Sequence, residues 1–170
     1  MATLIVRPPW AAQAPWTGTW LSSPVVGAPA LMHWPQAQDL PASEELILAL
    51  PATRVSWHLV DLPRLAPGRW RAALEGLMED CLLADPAQLH LALSPDTRGG
   101  QTVQVAACDK AWLTQVLHTL EQAGRMPARI VPEFEPDGSG VHLLGPAESG
   151  LLVDCGSQTV HCLALGTPAQ

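Results

Sequence analysis

Residues 67–84, PGRWRAALEGLMEDCLLA, place Trp70, Ala73, Leu74, Leu77, Met78, Cys81 and Leu82 on one apolar stripe at the helical period. A strand cannot present that pattern. Pro67 suits the first turn of a helix, and Asp85-Pro86 stops it. A helix with such a stripe must lay it on an apolar surface, and burying each large member contributes ~1.5–3 kcal/mol.

The flanking segments supply strands. TLIVR (3–7) reads as a short strand stopped by Pro8-Pro9, and ELILALP (45–51) as a buried strand. RVSWHLVDLP (54–63) alternates, with Val55, Trp57 and Leu59 on one face and Ser56 and His58 on the other. The short link Pro51-Ala52-Thr53 predicts that these two strands form a hairpin. LHLALS (89–94) and TVQVAAC (102–108) are the next strands, joined by a turn over 95–100. A second helix is predicted over 110–123, with Asp109 as N-cap, Gly124 as C-cap and Leu113, Val116, Leu117 and Leu120 inward. ARIVPEF (128–134) is a strand exit. EPDGSG (135–140) reads as a linker, and VHLLG (141–145) and LLVDCGSQTVHCLALG (151–166) add further β structure. The order is mixed α/β.

Residues 8–45 interleave Trp10, Trp16, Trp20 and Trp34 with Pro8, Pro9, Pro15, Pro24, Pro29 and Pro35. Short strands fit at 17–22 and 30–34. An aromatic groove for a proline-rich ligand is one use of such a segment. Large aromatics filling a core between short strands is the reading adopted, because Trp is mostly buried.

Several function classes are disfavoured. The net charge of −7 and the scattered Lys and Arg argue against nucleic-acid binding; Arg64, Arg69 and Arg71 are the closest basic grouping. Cys81, Cys108, Cys155 and Cys162 form no CxxC pair and read as buried thiols. The six histidines show no zinc-ligand spacing, so no metal is expected. The longest apolar run, Leu46–Leu50, is far short of the ~20 residues of a membrane span, and the first residues lack a signal-peptide core. The chain as given is expected to stay in the cytoplasm.

Three stretches between 45 and 134 carry a family resemblance. They are Val60-Asp61-Leu62-Pro63; Ala72–Leu82 followed by Asp85 and Leu89–Leu93; and Val105–Lys110 followed by Leu113–Leu120, Ala123-Gly124 and Val131-Pro132-Glu133. In this order they resemble the cytoplasmic region of type II secretion system protein L, and Leu4–Arg7 fits as well. Cys81 departs from a usual Gln, and Arg125-Met126 interrupts a usual AGL. The resemblance implies an actin-like, ribonuclease-H-type α/β fold with a mixed sheet and two main helices. It implies a first lobe over 1–134, a linker and short strand over 135–150, and a hairpin over 151–170 that begins a second, truncated lobe.

By the same resemblance the function is a non-catalytic scaffold on the cytoplasmic side of the bacterial inner membrane. Its implied partners are the N-terminal domain of the secretion ATPase, the E subunit, and the inner-membrane platform subunits M and F. Dimerisation is compatible with such platforms. Family members are bitopic, so the membrane would be reached only through a C-terminal helix beyond these residues. The alternatives are a nucleotide-binding actin-like ATPase or a related pilus-assembly platform protein.

An actin-like ATPase needs a glycine-rich phosphate hairpin in each lobe, where backbone N–H groups face the phosphates and carboxylates hold Mg²⁺. The first strand, TLIVRPPW, offers neither Asp nor Gly, and its two prolines remove N–H donors. The second hairpin offers Asp154, Gly156, Ser157 and Thr159 as weak cofactor-binding candidates. Gly and Ser equally suit a tight turn between buried strands, and with the first loop absent the hairpin reads as architecture. No cofactor or catalytic residue is therefore expected. Asp61 and Asp154, both near strand ends, are too few for a two-metal nuclease. An exposed sheet edge, or the acidic helix side bearing Glu75, Glu79 and Asp80, is the candidate contact surface.

Overall fold

The computed structural model describes residues 2–9, 14–22, 30–79, 82, 85–136, 140–144, 151–155 and 160–164. The chain divides into two compact units, Met1–Pro51 with Ala111–Phe134 and Ala52–Lys110 with Glu135–Gln170.

The first unit holds a five-stranded sheet. Its strands are β1 (Ala2–Arg7), β2 (Trp16–Ser22), β3 (Met32–Trp34), β4 (Glu45–Leu50) and β8 (Arg129–Pro132), in the order β3-β2-β1-β4-β8. β1 to β3 run as an antiparallel meander, whereas β4 is parallel to β1 and β8 is parallel to β4. Helix α2 (Lys110–Gln122) precedes β8 and buries Leu113, Val116 and Leu120. Leu4, Val6 and Leu48 are fully buried at the centre of this sheet.

Trp16 is buried and stands in register with Trp34 across β2 and β3. This is the expected use of the aromatic segment; Trp10 lies outside the described residues. Gly18, opposite Val6, lets the strands approach: a Cβ there would run into the Ile5 carbonyl and lie 3.1 Å from the Trp34 ring.

The expected hairpin of 45–51 with 54–63 does not form. β4 lies between β1 and β8, and β5 (Ser56–Leu62) belongs to another sheet, β5-β7-β6, with β6 (Leu89–Leu93) and β7 (Gln101–Asp109). The side chains explain the separation. Leu46, Ile47, Leu48 and Leu50 are buried in a nearly continuous apolar run, the mark of a central strand with parallel neighbours. β5 alternates and pairs antiparallel with β7 along its whole length. Ala52–Arg54 is a 3-10 turn that redirects the chain between the two sheets.

In the second unit, helix α1 spans Trp70–Met78 after a 3-10 turn at Pro67–Arg69. It is shorter than the expected 67–84; the Leu82 N–H still bonds the Met78 carbonyl, and Cys81 lies outside the described residues. Leu74 and Met78 pack with Val60, Leu62, Leu91, Val103, Val105 and Ala107, with Trp70 and Leu82 at the margin. Val60 and Leu62 therefore set the core face of β5, the parity of Ser56 and His58 and not that of Trp57 and Leu59, whereas Val55, just before the strand, is buried as well. Leu59 is 39% exposed and Leu77 38%.

The last strands, β9 (Val141–Leu144), β10 (Leu151–Cys155) and β11 (Val160–Ala164), form an antiparallel sheet of their own, in the order β11-β10-β9.

Candidate functional site

Of the candidate phosphate-site residues, Asp154 lies in β10. β10 and β11 form the expected antiparallel hairpin, and Asp154 stands in register between Val141 and His161. Gly156, Ser157 and Thr159 lie outside the described residues. The corresponding first turn joins β1 to β2, which leave register at Arg7 and Thr17. Pro8 and Pro9 follow β1 immediately, so two backbone positions at the strand's exit carry no N–H. The two segments therefore differ in chemistry: β10 carries the carboxylate of Asp154, whereas the exit of β1 carries prolines.

Other polar groups are occupied by the fold. The Arg7 guanidinium pairs with Glu133 at 3.0 Å. Arg125 follows the α2 cap: Gly124, with φ +66, ends the helix, and the Arg125 N–H bonds the Leu120 carbonyl at 2.8 Å. That is the Schellman arrangement. The Arg125 Nε–H then donates to the Leu40 carbonyl at 2.9 Å, so the departure at 125–126 carries a tertiary contact of its own.

A shallow cleft of about 210 Å³ lies beside this cap, between residues 42–46 and 124–128. Its carboxylates are engaged: Glu44 accepts the Ala2 N–H, and Glu45 accepts the Thr3 hydroxyl and faces Arg129 at 4.0 Å. The cleft thus reads as a seam of the fold.

In the second unit His58 Nε2 lies 2.9 Å from Ser56 Oγ. The same hydroxyl also reaches the Ala107 carbonyl at 3.4 Å. Burial also pushes His58 below the usual imidazole range. His90 is lowered first by burial and then by Arg71 and Lys110. Burial and the neighbouring Asp109 raise the Cys108 thiol, which keeps it protonated and unreactive. Asp61 accepts the Thr102 hydroxyl at 2.6 Å, and Glu75 pairs with Arg71 at 2.6 Å. Among the described residues no three His, Cys, Asp or Glu side chains converge as a metal site would need.

Sequence reading placed Arg64 and Arg69 near the start of α1 but missed Arg98. The β5–β7 pairing brings Arg98 to the same end of the sheet, because Leu62 stands opposite Gln101.

A family model for type II secretion system protein L matches residues 24–136. The chain is 33% identical over 117 residues to the type II secretion system protein L of Pseudomonas aeruginosa, covering 68% of this chain and 30% of that protein. Among solved structures it is similar to the cytoplasmic domain of EpsL, an inner-membrane component of the type II secretion system of Vibrio cholerae. The TM-score is 0.73 at 18% identity, over 96% of this chain and 71% of that one. A PilM–PilN type IV pilus biogenesis complex gives a TM-score of 0.63 at 19% identity, over 96% and 62%. A Bacteroides thetaiotaomicron protein with an actin-like ATPase fold gives 0.50 at 8% identity, over 98% and 71%.

Proposed function

Because the chain belongs to the type II secretion system protein L family, we propose that it is a non-catalytic scaffold which docks the secretion ATPase to the inner-membrane platform. The partners on this reading are the N-terminal domain of the ATPase and the platform subunits M and F. The chain spans 30% of the length of its Pseudomonas relative. Residues 1–134 are read as the first actin-like lobe, with 52–110 inserted between β4 and α2. Residues 151–170 are read as the hairpin that begins a second lobe, held at the cytoplasmic face of the inner membrane.

One observation carries the non-catalytic part. In the actin-like sheet order β3-β2-β1-β4-β8, the first phosphate turn belongs after β1. There the chain presents Pro8 and Pro9, with neither Asp nor Gly. A nucleotide clasped by Asp154 and its hairpin alone would lack half of its donors. The likeness to the EpsL cytoplasmic domain supports the fold and agrees with a place in the same machine.

The test is co-purification with the N-terminal domain of the cognate secretion ATPase. A complex at micromolar concentration is expected, and its absence would sink the docking role. The second reading, a nucleotide-binding ATPase, rests on Asp154 in its hairpin. It predicts a rise in melting temperature with Mg²⁺–ATP that Asp154→Ala abolishes.

A further inference from the structure

The chain has nine Lys and Arg residues. Arg7, Arg71 and Arg129 pair with carboxylates, and Arg125 holds the Leu40 carbonyl. Arg54 and Lys110 also have partners. The remaining three, Arg64, Arg69 and Arg98, are exposed and form no ion pair with another described residue.

The fold gathers these three at one end of the β5-β7-β6 sheet. The Gly100 N–H donates to the Leu62 carbonyl at 2.6 Å. Residues 98–100 lie directly on the exit of β5: a Cβ at Gly99 would sit 2.8 Å from the Pro63 carbonyl and 3.3 Å from Arg64 Cα. The Arg64 stem lies over Gly100, whose φ is +86; a Cβ there would meet Arg64 Nε at 2.6 Å. The loop is pinned on its other side. The Arg69 N–H closes on the Ala66 carbonyl at 2.9 Å, and the Trp70 indole N–H donates to the Leu65 carbonyl at 3.0 Å. Leu65, between Arg64 and the pinned turn, is 37% exposed. The nearby carboxylates Asp61 and Asp96 make no ion pair with these arginines; Asp61 accepts the Thr102 hydroxyl, so the three guanidinium forks stay unengaged by described carboxylates.

We propose that Arg64, Arg69 and Arg98, set around Leu65, form a docking surface for an acidic segment of a partner protein. All three cations are Arg, whose planar fork matches carboxylates two bonds at a time. Membrane binding by basic clusters takes about four to eight such residues. Three fall short in a chain of net charge −7, which an anionic bilayer repels. Nucleic acid needs a longer basic stripe. An acidic peptide, by contrast, meets the three charges locally and lays an apolar side chain on Leu65. This inference goes beyond the scaffold reading, since it does not depend on which protein supplies the segment.

The experiment measures fluorescence anisotropy of a labelled Glu-rich peptide, its Gln counterpart and labelled phosphatidylglycerol vesicles with the purified chain. The Glu peptide should bind, with affinity falling as salt rises, and the Gln peptide should not. Because the Arg64 stem packs on Gly100, Arg69→Glu/Arg98→Glu is the main variant and Arg64→Gln the second. The double variant should keep the wild-type melting temperature and weaken peptide binding by about tenfold or more. No peptide binding, equal binding of the Gln peptide, indifference to the double variant, or a preference for vesicles would each overturn the proposal. Running the ATPase domain in parallel separates the two readings. Peptide binding through the arginines without an ATPase complex leaves this surface standing and removes the scaffold reading. An ATPase complex with no peptide binding does the reverse.

Discussion

Gly124 is held at φ +66, and a Cβ added there would meet no heavy atom within 4 Å, so backbone conformation restricts the position and space does not. A side chain in the left-handed region costs about 1–2 kcal/mol. Gly124→Ala should lose about that much stability in urea unfolding, and Gly124→Asn less, since Asn tolerates the conformation. Equal stability of Gly124→Ala and wild type would show that the cap is not formed. Two histidines give a second residue-scale prediction. His58 and His90 are both depressed below 6.5, His58 by burial and His90 by burial with Arg71 and Lys110. Below about pH 6.5 the unfolded chain therefore binds more protons than the folded one. Stability is full above that pH and falls as pH drops towards the folded values. The melting temperature should decline on acidification, and less steeply in His58→Gln/His90→Gln. Identical pH slopes would refute the assignment. Arg71 and Lys110 sharpen the effect at His90, so added salt should soften it.

At the scale of elements, the α1 stripe is centred on Leu74 and Met78, not on Leu77. Leu74→Ala removes a side chain that is 3% exposed, and the cost expected is about 2–5 kcal/mol. Leu77, at 38% exposure, should cost well under half as much. Chemical denaturation of both variants checks the ranking. Both helices were legible as elements because helical spacing is a local signal; α2 matches its expected span within a residue and ends at the expected Gly124, whereas α1 is shorter than expected at both ends. Strand positions were also legible, but strand partners were not. The link at 51–53 is short enough for a hairpin, yet β4 takes its partners from residues 3–6 and 129–132. Only its buried run, set against the alternation of β5, hints at this. The arginine cluster was half legible for the same reason: Arg64 and Arg69 are close in sequence, whereas Arg98 arrives through the β5–β7 register. In the nucleotide hairpin, the strand pairing around Asp154 follows the sequence reading, and its turn lies outside the described residues.

At the scale of the whole molecule, the question is whether the chain binds a nucleotide at all. A ligand that binds only the folded state stabilises it by RT ln(1 + [L]/Kd), about 4 kcal/mol when the ligand stands a thousandfold above Kd. For a chain of this size each 1 kcal/mol moves the melting temperature by about 2–4 °C. A working actin-like site with micromolar affinity, given millimolar Mg²⁺–ATP, should therefore raise it by roughly 8–16 °C. Pro8 and Pro9 at the β1 exit remove that possibility on the present reading, so the expected shift is under about 1 °C. Asp154→Ala should then melt the same with and without nucleotide. A rise of several degrees in the wild type that the variant loses would show that the second hairpin binds nucleotide without its partner turn, and the scaffold reading would have to give way to an ATPase. A rise that the variant keeps would place the nucleotide elsewhere in the chain.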